Sequence, residues 1–232
     1  MRKQSRNLTV IGLTGSIGMG KSTAAAMLRR AGYPVFDADR AVHRLMGPNG
    51  AAVAPIAAAL PEFIGDHPPA GGIDRGALSN YIAANPGRLG TLERILHPLV
   101  RTAQRQARRH AAIGRSRILI LDIPLLFETG GERACDAVLV ISAPGLIQRQ
   151  RVLSRPGMTP EKLQTFLAKQ MPDYSKRRRA DYVIQTGRGM APARRQMMRA
   201  LADIRQIRRR RRSSPAHPPL FGPDNPHHFR RR

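Results

Sequence analysis

The run Gly15-Ser16-Ile17-Gly18-Met19-Gly20-Lys21-Ser22 constrains this chain more than any other feature of its sequence. It matches G-x-x-x-x-G-K-[ST] and carries one further glycine, Gly18. Ahead of it, Leu8-Thr9-Val10-Ile11-Gly12-Leu13 is an apolar run with β-branched residues and reads as a buried strand. Behind it, residues 21–31 are rich in Ala, Leu, Met and Arg, and Gly32 stops the helix they predict. A strand, a glycine-rich turn and a helix in that order build an anion cradle. The glycines allow the tight turn, and backbone N–H groups from Ile17 to Thr23 converge where the helix dipole favours negative charge. Nucleotide phosphates are therefore expected against Gly15, Ser16, Ile17, Gly18, Met19, Gly20, Lys21, Ser22 and Thr23. Lys21 would reach the β- and γ-phosphates and the Ser22 hydroxyl would ligate Mg²⁺. Without ligand, Lys21 is expected to face solvent.

The rest of the chain alternates strands and helices. Tyr33-Pro34-Val35-Phe36 predicts a second strand, followed by Asp37-Ala38-Asp39 and a helix from Arg40 to Met46. Residues 47–114 predict a helical insertion. It begins with a proline-broken stretch and continues with helices over 75–84 and 89–112, the second interrupted at His97-Pro98. Residues 117–123, 136–141 and 181–184 are apolar strand candidates, with helices predicted near 145–153, 160–170 and 191–207. This alternation argues for an α/β fold, a parallel sheet flanked by helices with right-handed crossovers.

Composition bounds the function. The chain carries 40 Lys and Arg against 15 Asp and Glu, a net charge of +25. Its single cysteine, Cys135, rules out a disulfide framework and a cysteine-based zinc site. The apolar stretch behind the basic N-terminal residues is too short and too polar for the core of a signal sequence, and no apolar run is long enough for a membrane span. A cytoplasmic protein is expected. From Arg205 onward there are nine arginines and one acid, Asp224, among five prolines. Residues 209–232 are read as a disordered, solvated basic tail. Nucleic-acid contact by that tail is not favoured, because it offers one aromatic, Phe229, near its Arg cluster for base stacking. Most of the excess charge lies in the body, where it suits a polyanionic small substrate as well as it suits nucleic acid.

The phosphate loop alone leaves several classes open. No N-K-x-D base-recognition motif of a GTPase is present, and the strand ending at Asp122 lacks the paired acids of a helicase-type ATPase. Small-molecule kinases remain, with nucleoside or nucleotide kinases and a nucleic-acid-binding ATPase as rivals. At this point the residues resemble one family, dephospho-coenzyme A kinase. The resemblance rests on Gly12 to Thr23, Asp37-Ala38-Asp39, Asp74-Arg75 with Leu78, Leu92-Glu93 with His97-Pro98, and Asp122-Ile123-Pro124-Leu125-Leu126-Phe127-Glu128. Gln148, Arg151, Arg155, Glu161, Gln170 and Ala180-Asp181 extend it over about residues 8–207. Met19 departs from the family's small residue, and Gln185-Thr186 replaces an Asn-containing turn.

The resemblance implies a P-loop kinase domain over 1–208. Its core would lie at about 8–46 and 115–208, its helical substrate-binding insertion at 47–114 and its lid at about 151–180. It implies ATP and Mg²⁺ and dephospho-CoA as the small-molecule substrate; no membrane contact and a monomer are expected beside it. Asp39 would be the base on the ribose 3′-hydroxyl, its alternative being a helix N-cap, while Asp37 is read as the cap. Lys21 and Arg155 would act on the transferring phosphoryl group. Asp39, Arg75, His97, Glu128 and Arg151 would hold substrate, and Asp122 would assist the metal beside Ser22.

Overall fold

A computed structural model describes residues 8–64, 71–114 and 117–213 of the chain. The elements run β1 (Thr9–Thr14), α1 (Lys21–Arg30), β2 (Val35–Asp37), α2 (Ala38–Met46), α3 (Val53–Ala59), α4 (Pro61–Ile64), α5 (Arg75–Ala84) and α6 (Leu89–Ile113). They continue with β3 (Ile118–Asp122), β4 (Ala137–Ser142), α7 (Gly145–Leu153), α8 (Pro160–Ala168), α9 (Asp173–Arg179), β5 (Tyr182–Gln185) and α10 (Met190–Ser213). The chain divides into two compact units, residues 1–35 with 115–232, and residues 36–114.

The sheet has the order β2-β3-β1-β4-β5, and β1 pairs in parallel with both β3 and β4. Every residue of β1, β3 and β4 is buried, as expected for parallel strands covered on both faces. Ile11, Leu13, Leu28, Ile120, Leu139, Ile141, Met197 and Leu201 form the core of the first unit. Truncating one of these to alanine costs about 2–5 kcal/mol. The loop that leaves β1 must start on glycine. A Cβ at Gly15 would lie 2.5 Å from the Ile141 carbonyl oxygen. The cradle is thereby pressed against the end of β4.

The second unit has its own core, Met46, Ile56, Leu60, Ile73 and Leu78, with Leu92, Ile95, Leu96 and Leu99 of α6 packed on it. Two aspartates start its helices. The Asp37 carboxylate accepts from the Arg40 N–H at 3.0 Å to cap α2, and the Asp74 carboxylate accepts from the Gly76 and Ala77 N–H groups to cap α5. These bonds satisfy donors that the first helical turn leaves without partners.

Three expectations need correction. The interruption at His97-Pro98 is absent, because α6 runs unbroken through Pro98. Leu92, Ile95 and Leu96 before the proline and Leu99 after it are packed on one core, which offsets the lost N–H. α9 was not expected at all. α10 continues to Ser213, five residues into the stretch read as a tail from 209. Arginine is a good helix former, so the run Arg208 to Arg212 can propagate a helix already anchored by Met197, Leu201 and Ile204. Residues 214–232 lie outside the described residues.

Candidate active site

The phosphate loop is held by side chains from three places. Ile17 donates its N–H to Gln170 Oε1 at 3.0 Å and accepts at its carbonyl from Gln148 Nε2 at 2.8 Å. Thr186 Oγ1 donates to the Met19 carbonyl at 2.7 Å. Arg151 in turn grips Thr186, donating to its Oγ1 at 3.0 Å and its carbonyl at 2.9 Å. The Met19 side chain is buried in the core, where its sulfur accepts from the Ala143 N–H. Thioether sulfur is a weak acceptor, so burial is the larger part of this anchor. Positive φ at Gly18 and Gly20, +78° and +90°, gives the loop its two left-handed turns. Two N–H groups of the expected cradle are turned inward, since Met19 donates to the Ser16 carbonyl and Ile17 to Gln170.

Below the loop, Lys21 Nζ pairs with Asp122 Oδ1 at 2.7 Å. Lys21 retains 15% of its side-chain exposure and Asp122 4%, so Lys21 does not face solvent as expected. An ammonium with little water around it takes the nearest carboxylate, and β3 delivers one at its last residue.

Glu128 and the α8–α9 segment form a second network. The fully buried Lys176 of α9 pairs with Glu128 at 2.9 Å and donates to the Pro124 carbonyl at 3.2 Å. Glu128 also accepts from the Met171 N–H at 2.8 Å. Burial works to raise the Glu128 pKa, but its hydrogen bonds from Lys176 and the Met171 N–H outweigh that and hold it below the ordinary value. At Asp173 burial wins and pushes the carboxyl up, although Ser142 Oγ donates to it at 2.7 Å.

In the second unit, Asp39 lies in the first turn of α2 and is exposed. Asp37, not Asp39, caps the helix, which removes capping as the reason for Asp39. His43 follows at i+4, on the same helix face, and the Arg75 guanidinium contacts its Nε2. A carboxylate, an imidazole and a guanidinium thus share one surface of this unit.

The family model for dephospho-CoA kinase matches residues 9–191. The chain belongs to the dephospho-CoA kinase family. A dephospho-CoA kinase of Rhodospirillum rubrum is 50% identical over 211 residues, covering 90% of this chain and 99% of its own. One from Mesorhizobium japonicum is 49% identical, covering 85% of this chain and 98% of its own. Among solved structures, TT1252 of Thermus thermophilus is similar at a TM-score of 0.72 and 32% identity, over 85% of this chain and 97% of that one. The resemblance read from Asp37-Ala38-Asp39 and the segment Asp122 to Glu128 therefore holds.

Within this family member, the first unit brings together Gly15 to Thr23, Lys21 and Asp122, with Arg151 next to the loop at Thr186. Arg155 lies exposed just beyond α7. Glu128 is engaged by Lys176 and Met171. In the second unit Arg75 contacts His43, which stands one helical turn from Asp39 on α2, while His97 is exposed on α6 and is no core histidine. Sequence reasoning missed His43, whose i+4 spacing from Asp39 was a usable signal. It also missed Lys176, for which no local pattern exists, and it marked Thr186 only as part of a departure from the family's turn, not as a partner of the loop.

Proposed function

We propose that this dephospho-CoA kinase family member transfers the γ-phosphoryl group of ATP to the ribose 3′-hydroxyl of dephospho-CoA. The products are CoA and ADP, the last step of CoA synthesis. The observation that carries the reading is half-identity to a dephospho-CoA kinase over nine-tenths of this chain.

The residues take the following parts. The loop from Gly15 to Thr23 holds the phosphates through backbone N–H groups. Lys21 exchanges Asp122 for the β- and γ-phosphates when ATP binds, and Arg155 and Arg151 add charge as the phosphoryl group moves. Asp39 orients the 3′-hydroxyl and takes its proton. Arg75 and His97 hold the acceptor, and Glu128 shapes its pocket while paired to Lys176. Ser22 offers a hydroxyl and Asp122 a carboxylate, hard oxygen donors that suit Mg²⁺. Among the described residues no cluster of three His, Cys, Asp or Glu side chains exists. When bound, Mg²⁺ would neutralise phosphate charge.

The reading places the enzyme in the cytoplasm as a monomer, and no described helix is long and apolar enough to cross a membrane. The test is ADP release with dephospho-CoA, AMP, adenosine and single-stranded RNA in parallel. Turnover with dephospho-CoA alone is expected. Faster release with AMP or adenosine would make this a nucleoside or nucleotide kinase, and stimulation by RNA a nucleic-acid-dependent ATPase.

A further inference from the structure

Ile17 stands at the third position of the phosphate loop, where no helix or strand satisfies its backbone. Both of its backbone groups are nevertheless bonded, each by a glutamine from a different element. The N–H goes to Gln170 Oε1 in the linker between α8 and α9, and the carbonyl to Gln148 Nε2 on α7. We propose that Gln148 and Gln170 are positioning residues with opposite duties: Gln148 must donate to Ile17 and Gln170 must accept from it, and together they set the aim of the phosphate-binding N–H groups.

The surroundings make the pair effective. Gln170 is fixed by its neighbour, because the Met171 N–H is tied to Glu128 and Glu128 to the buried Lys176. Gln148 is fixed by close packing of the loop on α7. A Cβ at Gly18 would lie 2.5 Å from Val152 Cγ2 and 2.9 Å from the Gln148 carbonyl oxygen. The two bonds to Ile17 orient the peptide planes before and after it. The second plane carries the Gly18 N–H and leads into the positive-φ turn at Gly18. Glutamine supplies either half of an amide, but each position here uses only one half. The proposal rests on the phosphate loop being the ATP site.

Charge swaps separate this role from its rivals. Gln148→Lys and Gln170→Glu keep the required donor and acceptor, whereas Gln148→Glu and Gln170→Lys destroy them. Direct ATP titration, with no acceptor present, should rank Lys above Glu at position 148 and Glu above Lys at position 170. Each separation should be about tenfold, the size of one lost hydrogen bond in a constrained site. At position 170 this order runs against the attraction of a lysine for ATP. If Lys binds ATP better than Glu at both positions, only charge matters and the proposal fails. If the two variants at each position bind alike, the glutamines only fill space and it also fails. The unmodified chain gives an arm that needs neither variants nor ATP. The Ile17 amide should exchange its hydrogen slowly, and exchange at the rate of an exposed amide would overturn the clamp. Absent ATP binding by the unmodified chain would instead refute the phosphate-loop reading, and the exchange rate would still decide the clamp.

Discussion

Lys21 and Asp122 lie almost wholly inside the first unit, whereas Asp39, His43 and Arg75 all lie on the surface of the second. The phosphate loop is bonded by Gln148, Gln170 and Thr186, and its lysine is half of a buried ion pair. The second unit's polar face rests on a helix whose cap, Asp37, and whose core contacts through Met46 come from other residues. In the first unit, groups assigned to the chemistry also hold the fold. In the second they can be removed without touching what holds it. Stability and activity should therefore fall together in one region and separate in the other.

Lys21→Ala should have the largest combined effect. Turnover falls on the order of 10²-fold or more through lost stabilisation of the transferring group. The variant also leaves Asp122 charged and buried, which costs about 3–5 kcal/mol. With a shift of roughly 2–4 °C per kcal/mol for a domain of this size, the melting temperature should fall by about 10 °C. An inactive variant that melts like its parent would break the comparison on this side.

Asp39→Asn should lose roughly 10²- to 10⁴-fold in turnover with ATP affinity kept. The change removes one acidic group from a first helical turn, worth about 0.3–1 kcal/mol, and empties no buried contact. A melting temperature within about 3 °C of the parent is expected. If calorimetry found a large drop and kinetics a small one, the surface reading of Asp39 would be wrong.

Much of the first region was legible because its signals are local. The glycine spacing, the apolar run before it and the helix formers after it name the strand, loop and helix directly. The bounds Gly145–Leu153 and Arg75–Ala84 followed from composition, whereas the cap that Asp74 supplies was seen only in the structure. What held the loop was not legible. Gln148 and Gln170 lie 131 and 153 residues from Ile17, so their pairing exists only once the sheet has formed. α9 is similar. Its sequence DYSKRRR has no apolar stripe, and the helix is fixed by burying Lys176 against Glu128, with Asp173 in its first turn and arginines in its last. Pro98 misled for the converse reason, since a local breaker was overridden by packing on both sides of it.

Glu128→Gln sharpens the comparison inside the first unit through pH. The Glu128 carboxyl titrates below its ordinary value of 4.5 in the folded chain. A depressed folded pKa contributes stability above the unfolded value, and that stability is lost as pH falls through the folded value. The variant should therefore melt lower than its parent at neutral pH, and the gap should begin to narrow as pH falls below 4.5 and close only once pH has passed through the lower folded value. Its size, about 1–3 kcal/mol, reflects Lys176 left with a neutral partner. A gap that stays constant down to pH 3 would show that the Glu128 charge does not matter to Lys176.

Arg75→Ala should give the smallest effect and the cleanest separation. Arg75 is exposed at the first position of α5, and the bonds that start that helix come from Asp74, which the change leaves in place. The guanidinium contacts His43, on the same face of α2 as Asp39, so its loss removes a positive charge from that face without opening a cavity. A phosphate-bearing acceptor held there would bind more weakly by about tenfold, the scale of one charge-assisted hydrogen bond near a surface. KM for dephospho-CoA should rise by that factor while kcat and KM for ATP stay near their parent values, the pattern of an interaction equally strong in ground and transition states. Melting temperature should not move. Arg75→Lys should recover part of the loss, because it restores the charge but not the planar fork. If KM for ATP rose instead, Arg75 would serve the nucleotide, and the division of labour between the two regions would have to be redrawn.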